Sequence, residues 1–196
     1  MVIVDLLVLA GGRGERLGGQ DKAAIVVGGR TLLDRVLGAA LALGGRPVVV
    51  GHGAVPAGVL RTLEDPPDGG PVAGIAAGLA ALEDTGAPAD WVAVVAVDQP
   101  GAAAALASLH TALGSASADE VDALSHVDRT GHRQWLLAIY RRAALEAALA
   151  ALPQVRDVAV RRLVHGLSWA EVPSGGEHLG DVDTWDDLER WRSSTD

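Results

Sequence analysis

Three apolar runs constrain the fold of this chain more than any other feature of its sequence. They are VIVDLLVLA at 2–10, RPVVVG at 46–51 and WVAVVAV at 91–97. Uninterrupted runs of Val, Leu and Ala are typical of strands that are buried on both faces, as in a parallel sheet covered by helices. The chain therefore needs helices on both sides of a central sheet.

Helical segments separate these runs along the chain. The predicted helices lie at 31–45, 71–86, 101–113, 141–152, 155–166 and 184–193. Thr31 with Asp34 resembles a capping box, and Pro71 suits the first turn of a helix. Shorter extended segments are predicted at 25–30, 59–65 and 167–173, and two strands at 121–127 and 134–140 flank a turn.

This alternation of strands and helices predicts an α/β three-layer sandwich with a mainly parallel, Rossmann-like sheet. We expect residues 1–196 to form one domain. In such sheets, ligands bind in the crevice at the carboxyl ends of the strands. The glycine-rich loop after the first strand, Asp65 and Asp98 are all predicted to lie at such ends.

Charge and composition exclude several classes of function. The formal net charge of −9 argues against a nucleic-acid partner, which requires a broad basic face. The absence of cysteine excludes disulfides, thiolate catalysis and Cys-ligated zinc, and it is consistent with a cytoplasmic location. The apolar N-terminal run contains Asp5 and is too short to span a membrane, so we expect no membrane partner.

The segment LAGGRGERLGGQDKAAI at 9–25 places a glycine-rich, locally basic loop directly after the first strand. Such loops bring backbone N–H groups and cations close to phosphate. It is not a Walker A loop, because Gln20 and Asp21 stand where the lysine and hydroxyl are required. It is not a dinucleotide fingerprint either, because the third glycine is missing.

The same segment resembles the signature loop of the molybdenum cofactor guanylyltransferase family, approximately LAGGxSxR(M/L)GxDK. Further landmarks of the family follow in order: GGRTLLDRV, EDPPDGGPVAGIAAGL, VAVVAVDQP and GDVDTWDDLERW. The resemblance spans nearly the whole chain. The chain departs from the pattern at Gly14, which replaces a serine, at Asp181 and Asp183, which replace asparagines, and at Trp185, which replaces a proline.

This resemblance implies an α/β nucleotidyltransferase that uses Mg²⁺ to transfer GMP from GTP to molybdopterin, with release of pyrophosphate. LAGG, in place of the LAAG of the cytidylyl relatives, favours guanine. GTP and molybdopterin would be the small-molecule partners, together with transient cofactor-delivery proteins. The alternatives are the same chemistry with CTP or another phosphorylated acceptor, and a non-catalytic nucleotide-binding module.

The resemblance also assigns roles to residues of the opening loop. Backbone groups of Leu9, Ala10 and Gly11 would contact the base. The triphosphate and the leaving pyrophosphate would be bound by Gly12, Arg13, Arg16 and Lys22. The alternative is an ordinary strand end followed by a solvated turn with exposed arginines. Asp21 would orient Lys22 or cap the loop.

Acidic residues supply the remaining candidates. Asp98 ends a fully apolar strand, and a carboxylate there is costly unless it has a partner such as a magnesium ion. The alternative is a helix cap. The resemblance implies a second metal ligand at Asp183, whose alternative, like that of Asp181, is interaction with a helix dipole. It also implies that Asp65 contacts the base and sugar, the alternative being an aspartate that starts a turn before the prolines. Gly70 and the helix start would touch the ligand too, beside the close helix–sheet packing that the small residues of this helix favour.

Two groups of polar residues have no assigned role. His126 and His132 flank a turn and are expected to be exposed. Arg156, Arg161 and Arg162 form a second basic cluster, which would either receive an anionic acceptor such as a pterin phosphate or form a solvated helix face.

Overall fold

The computed structural model describes residues 1–11, 21–115, 120–128, 131–173, 187, 189 and 191. Its main sheet has seven strands in the order β5-β4-β1-β6-β8-β7-β9. These strands are β1 Val4–Leu9, β4 Gly44–Val50, β5 Leu60–Thr62, β6 Trp91–Ala96, β7 Ala123–Val127, β8 Arg133–Arg141 and β9 Trp169–Pro173. A separate small hairpin pairs β2 Val26–Val27 with β3 Arg30–Thr31.

The sheet is mainly parallel, as predicted. Strands β5, β4, β1 and β6 are parallel neighbours, and β7 and β9 are also parallel to each other. Only β8, within the described sheet, runs in the opposite direction, because it forms the predicted antiparallel pair with β7 and also pairs with β6. The carboxyl ends of β5, β4, β1 and β6 therefore lie together at one edge.

Helices cover both faces of this sheet. One hydrophobic cluster joins α1 and α3 to one face, and a second joins α2, α4 and α5 to the other, which confirms the three-layer prediction. The helices are α1 Leu32–Leu43, α2 Pro71–Glu83, α3 Ala102–Ser115, α4 Arg142–Ala150 and α5 Val160–Val164. None of the described helices has both the length and the apolar character that crossing a bilayer requires.

The helix predicted at 155–166 is shorter than expected. Asp157 adopts a left-handed backbone conformation with φ of 55°, which a continuous α-helix cannot contain. Its backbone N–H donates to the carbonyl of Gly69 at 2.9 Å, so this part of the chain is held against another loop and α5 starts only at Val160. Of the predicted helix at 184–193, the described residues Asp187, Glu189 and Trp191 are helical.

Two glycines of α2 allow this helix to pack closely on β1. A Cβ atom at Gly78 would lie 2.5 Å from Cδ1 of Leu7, and one at Gly74 would lie 2.9 Å from Cδ2 of Leu9. Both distances are shorter than side-chain carbon contacts allow. The small residues thus bring the first turns of α2 against the end of β1, next to the carboxyl edge of the sheet.

At the opposite edge of the sheet, the acidic residue in the first apolar run has a full set of partners. Asp5 is buried and accepts hydrogen bonds from the backbone N–H groups of Arg46 and Ala89, each at 2.8 Å. Nη2 of Arg142 donates to Asp5 Oδ2 at 2.9 Å, which forms a buried ion pair. Asp5 therefore ties β1 to β4 and α4 and belongs to the framework of the fold.

Candidate active site

A cavity of about 450 Å³ opens at the carboxyl edge of the sheet, where ligand sites of α/β folds are found. Its apolar wall comes from the ends of three strands and from Leu136 of β8. The remaining wall is the start of α2 with Gly70, Pro71 and Gly74. The apolar wall residues are Leu9, Val50, Ala96, Val97 and Leu136.

Four charged residues line the same cavity, namely Lys22, Glu64, Asp68 and Asp98. They are carried by the segments that follow β1, β5 and β6. An apolar cleft with a few convergent charged groups is the usual form of a small-molecule site.

Lys22 and Asp98 form an ion pair in this cavity. Nζ of Lys22 donates to Oδ2 of Asp98 at 2.8 Å, and the two side chains are 22% and 20% exposed. Asp98 lies two residues after the end of β6, and Lys22 begins a short 3₁₀ turn, Lys22–Ala24. Asp21 caps this turn by accepting the N–H of Ala23 at 3.0 Å, which supports the capping role that we considered for it.

The Lys22–Asp98 pair places a cation and a carboxylate side by side at the mouth of an apolar cleft. A lysine ammonium acts as a compact point charge for phosphate. A carboxylate is the ligand type that Mg²⁺ prefers, and Mg²⁺ in phosphate-transfer sites commonly uses one or two carboxylates together with phosphate oxygens and water. The cavity therefore offers a cation for phosphate oxygens and a carboxylate for a divalent metal ion, which are the charges that bind a metal-bound polyphosphate.

The described residues supply one carboxylate at this position and no larger ligand cluster. Within residues 1–11, 21–115, 120–128 and 131–173, no group of three or more His, Asp or Glu side chains could hold a metal ion by itself. Asp98 alone fits a magnesium ion that takes its other ligands from the substrate. Asp183, the second predicted ligand, lies outside the described residues.

The sequence of the chain matches a known protein family over most of its length. The family described as MobA-like NTP transferase domain matches residues 6–172. The chain belongs to this family. This membership confirms the resemblance found in the opening loop, and the matched region includes all four charged residues of the cavity.

A probable molybdenum cofactor guanylyltransferase from Opitutus terrae is 39% identical to this MobA-like chain over 102 residues. The match covers 50% of the chain and 49% of that protein. The chain thus spans about half the length of the curated relatives that it matches.

Solved structures share the fold over almost the whole chain. Molybdopterin-guanine dinucleotide biosynthesis protein A from Archaeoglobus fulgidus has a TM-score of 0.69 and 23% identity, covering 97% of this chain and 98% of that one. A Mycobacterium tuberculosis protein in complex with manganese has a TM-score of 0.68 and 23% identity, and the match covers 98% of this chain and 100% of that one. 2-C-methyl-D-erythritol 4-phosphate cytidylyltransferase from Thermus thermophilus has a TM-score of 0.67 and 20% identity, and the match covers 99% of each chain.

Several of the site residues predicted from the sequence line the cavity at the carboxyl edge of the sheet. Leu9, Gly11, Lys22, Gly70 and Asp98 all line it. Ala10 is tied into the sheet instead, because its N–H donates to the carbonyl of Val50 at 2.9 Å. The other predicted loop and C-terminal residues, Gly12, Arg13, Arg16, Asp181 and Asp183, lie outside the described part of the chain.

Asp65 does not line the cavity. Its side chain is exposed, whereas its neighbour Glu64 and the nearby Asp68 face the cleft. The nucleotide contact of Asp65 stays a prediction. Sequence reasoning missed Glu64 and Asp68 because EDPPD offers three acidic residues in one turn, and neither spacing nor period distinguishes among them. The available signal was that all three follow a strand and precede the glycines of the α2 start.

Arg156 holds the loop that carries these acidic residues. Its Nη1 donates to the carbonyl of Pro66, and its Nη2 donates to the carbonyl of Pro67 at 3.3 Å. A Cβ at Gly69 would lie 2.9 Å from Nη1 of Arg156, so Gly69 permits this close contact. Arg161 and Arg162, in contrast, are exposed on α5. The guanidinium of Arg156 therefore contacts the loop that carries the cavity residues Glu64 and Asp68, and not open solvent alone.

We expect Arg156→Ala to raise the KM for the nucleotide by about three- to tenfold with little change in kcat. The variant loses two hydrogen bonds to carbonyl groups, each of about 1 kcal/mol. The loop that carries Glu64 and Asp68 is then less well ordered, whereas the contacts of Lys22 and Asp98 do not change. Steady-state kinetics of Arg156→Ala beside the exposed control Arg161→Ala measure this split. An unchanged KM, or a loss confined to kcat, would contradict a positioning role.

His126 is not exposed, contrary to prediction. β7 continues through Val127, so His126 lies inside the sheet, fully buried. Its Nδ1 lies 3.0 Å from the carbonyl oxygen of Val172, and its Nε2 lies 3.2 Å from that of Ala105. The ring thereby links β7 to β9 and α3. His132 is exposed, as predicted.

Proposed function

We propose that this chain is a magnesium-dependent nucleotidyltransferase that transfers GMP from GTP to molybdopterin and releases pyrophosphate. The observation that carries the proposal is the Lys22–Asp98 pair at the mouth of an apolar cavity at the carboxyl edge of a parallel sheet. Family membership and the name of the Opitutus relative support the choice of reaction.

In this reaction a phosphate oxygen of the acceptor forms a bond with the α-phosphorus of GTP. The bond between the α-phosphorus and the bridging oxygen breaks, and pyrophosphate leaves with that electron pair. Charge accumulates on the phosphoryl oxygens, so catalysis depends on orientation and on stabilising that charge. Lys22 supplies a positive charge within the cavity, and its pairing with Asp98 keeps the ammonium in place before substrate binds.

Asp98 would hold the magnesium ion, which on binding neutralises phosphate charge. The start of α2 contributes in a different way. Gly70 and Pro71 line the cavity at the N-terminus of a 13-residue helix, where backbone N–H groups and the helix dipole favour anions. Together these groups would place cationic or partly positive charge around the reacting phosphates.

The fold does not by itself select the base of the nucleotide, since a cytidylyltransferase shares it. The alternative is therefore the same chemistry with CTP. The distinguishing measurement is pyrophosphate release with molybdopterin and GTP, CTP or ATP. We expect kcat/KM to be highest for GTP by at least about tenfold, or about 1.4 kcal/mol in transition-state stabilisation.

Equal rates, or faster turnover of CTP, would contradict the guanylyl assignment and leave the transferase assignment intact. Absence of pyrophosphate release with all three nucleotides would favour the non-catalytic nucleotide-binding alternative.

A further inference from the structure

The strand that closes one side of the cavity is irregular. β8 runs antiparallel to β6, so its first residues lie at the carboxyl edge of the sheet. Between the paired positions Ser125–Ala138 and Val127–Arg133, β7 has one residue and β8 has four, at 134–137. β8 therefore bulges at this edge, and bulges next to active sites redirect side chains.

The bulge turns two consecutive side chains to the same face of the sheet. In a regular strand, successive side chains point to opposite faces. Trp135 and Leu136 are both half-buried against the hydrophobic cluster on the α2 side, whereas Leu137 belongs to the cluster on the other side. The start of α2 lines the cavity, and so does Leu136. The bulge thus places Leu136 in the cavity wall.

The hydroxyl of Tyr140 holds this bulge. It donates to the carbonyl of Trp135 at 2.6 Å, five residues earlier in the same strand. Five residues of a regular strand span about 17 Å, which is farther than a tyrosine side chain reaches, so the bulge brings the two groups together. Tyr140 is fully buried. Burial raises the pKa of its phenol above the ordinary value, so the hydroxyl keeps its proton and donates.

Leu136 lies on the side of the cavity from which the acceptor enters. Lys22 belongs to the segment after β1 and Asp98 to the segment after β6, and β8 is the next strand beyond β6. In displacement at phosphorus, the entering and leaving oxygens lie roughly in line, on opposite sides of the reacting atom. With pyrophosphate leaving towards Lys22, the entering phosphate of the acceptor lies on the β8 side of Asp98, beside Leu136.

We propose that Tyr140 is a positioning residue for the acceptor, because its hydroxyl holds the β8 bulge and thereby fixes Leu136 in the cavity wall. This inference rests on the proposed function. Tyr140 itself is buried and touches neither substrate. Leu136 offers an apolar surface to the acceptor next to its phosphate, and its place depends on the hydrogen bond to the carbonyl of Trp135.

The test is Tyr140→Phe, which removes one hydroxyl and keeps the ring. We expect the KM for molybdopterin to rise by about three- to tenfold, the change for losing one ordinary hydrogen bond. The KM for GTP and kcat should hardly change, because Lys22 and Asp98 keep their contact. Steady-state pyrophosphate release, with one substrate varied at a time, gives both KM values.

Ser125→Ala is the matched control. It also removes one buried hydroxyl, from the neighbouring strand β7, and that hydroxyl makes no hydrogen bond with the residues that the structure describes. Both KM values of this variant should match those of the unmodified protein.

A double-mutant cycle with Leu136→Ala shows whether Tyr140 acts through Leu136. Leu136→Ala alone should raise the KM for molybdopterin, and adding Tyr140→Phe should raise it little further. Effects of the two substitutions that multiply would contradict the proposal, because they would show that the hydroxyl and Leu136 act independently.

Equal rises in the two KM values would overturn the proposal. So would an unchanged KM for molybdopterin together with a lower melting temperature, because Tyr140 would then only stabilise the core. If Tyr140→Phe does not fold, Leu136→Ala carries the test, since Leu136 is only half-buried. An unchanged KM for molybdopterin in that variant would overturn the proposal.

Pyrophosphate release by the unmodified protein separates this proposal from the proposed function. Release with an unchanged KM for molybdopterin in Tyr140→Phe removes Tyr140 and leaves the transferase. Absence of release, together with weaker binding of molybdopterin to Tyr140→Phe in a calorimetric titration, supports the positioning role and removes the transferase.

Discussion

Asp98→Asn is expected to lower the turnover of GTP with molybdopterin by about 10²-fold or more, the scale of losing one preorganised electrostatic group. The amide has the size of the carboxylate but lacks its charge, so it holds a divalent cation poorly. The fold is expected to persist, because the amide has the volume of the carboxylate and its oxygen can still accept the hydrogen bond from Nζ of Lys22. Pyrophosphate release across a magnesium titration measures the effect.

The matched control is Asp84→Asn, which makes the same change at an exposed position after α2 and should leave turnover unchanged. The magnesium titration adds a second criterion. If Asp98 holds the ion, the variant needs a higher magnesium concentration for half-maximal rate. Unchanged turnover of Asp98→Asn at limiting magnesium would remove Asp98 from the site.

Lys22→Ala is expected to weaken GTP binding by about 1.5–3 kcal/mol, the value for a lost hydrogen bond to a charged group. The loss should shrink for guanosine, which has no phosphate for the ammonium to contact. The melting temperature should barely change, since the side chain is partly exposed and the 3₁₀ turn keeps its cap at Asp21. Calorimetric titration of both ligands against both proteins gives the difference.

Lys22→Arg serves as the control that retains the charge, and it should preserve part of the discrimination between GTP and guanosine. A similar loss for GTP and guanosine in Lys22→Ala would show that Lys22 shapes the loop. A large drop in melting temperature would lead to the same conclusion.

The fold could be predicted because its strands and helices are encoded locally. The runs that became β1, β4 and β6 have no polar face, which leaves only a sheet with helices on both sides. The need of Asp98 for a polar partner could be predicted for a related reason, since a carboxylate at the end of an apolar strand is costly without one. That partner in the structure is Lys22, which lies 76 positions away in sequence. Only the sheet order brings the two together.

The parts that could not be predicted depend on contacts between distant segments. Whether Asp65 or Glu64 faces the cleft is decided by how the loop after β5 folds against Gly69 and Arg156. The burial of His126 depends on its position between α3 and β9, whose contacting residues lie 21 and 46 positions away in sequence. Period and propensity describe a segment, whereas these side chains are oriented by neighbours that the segment does not encode.

The most direct test of this account follows the α-phosphate of GTP. The intact protein is incubated with molybdopterin, magnesium and GTP labelled at the α-phosphorus, and the products are separated. We predict that the label appears in the pterin product, with one unlabelled pyrophosphate released for each label transferred. Label recovered only as free GMP would indicate a hydrolase. Label that remains in GTP under these conditions would contradict the assignment of this cavity as a nucleotidyltransferase site.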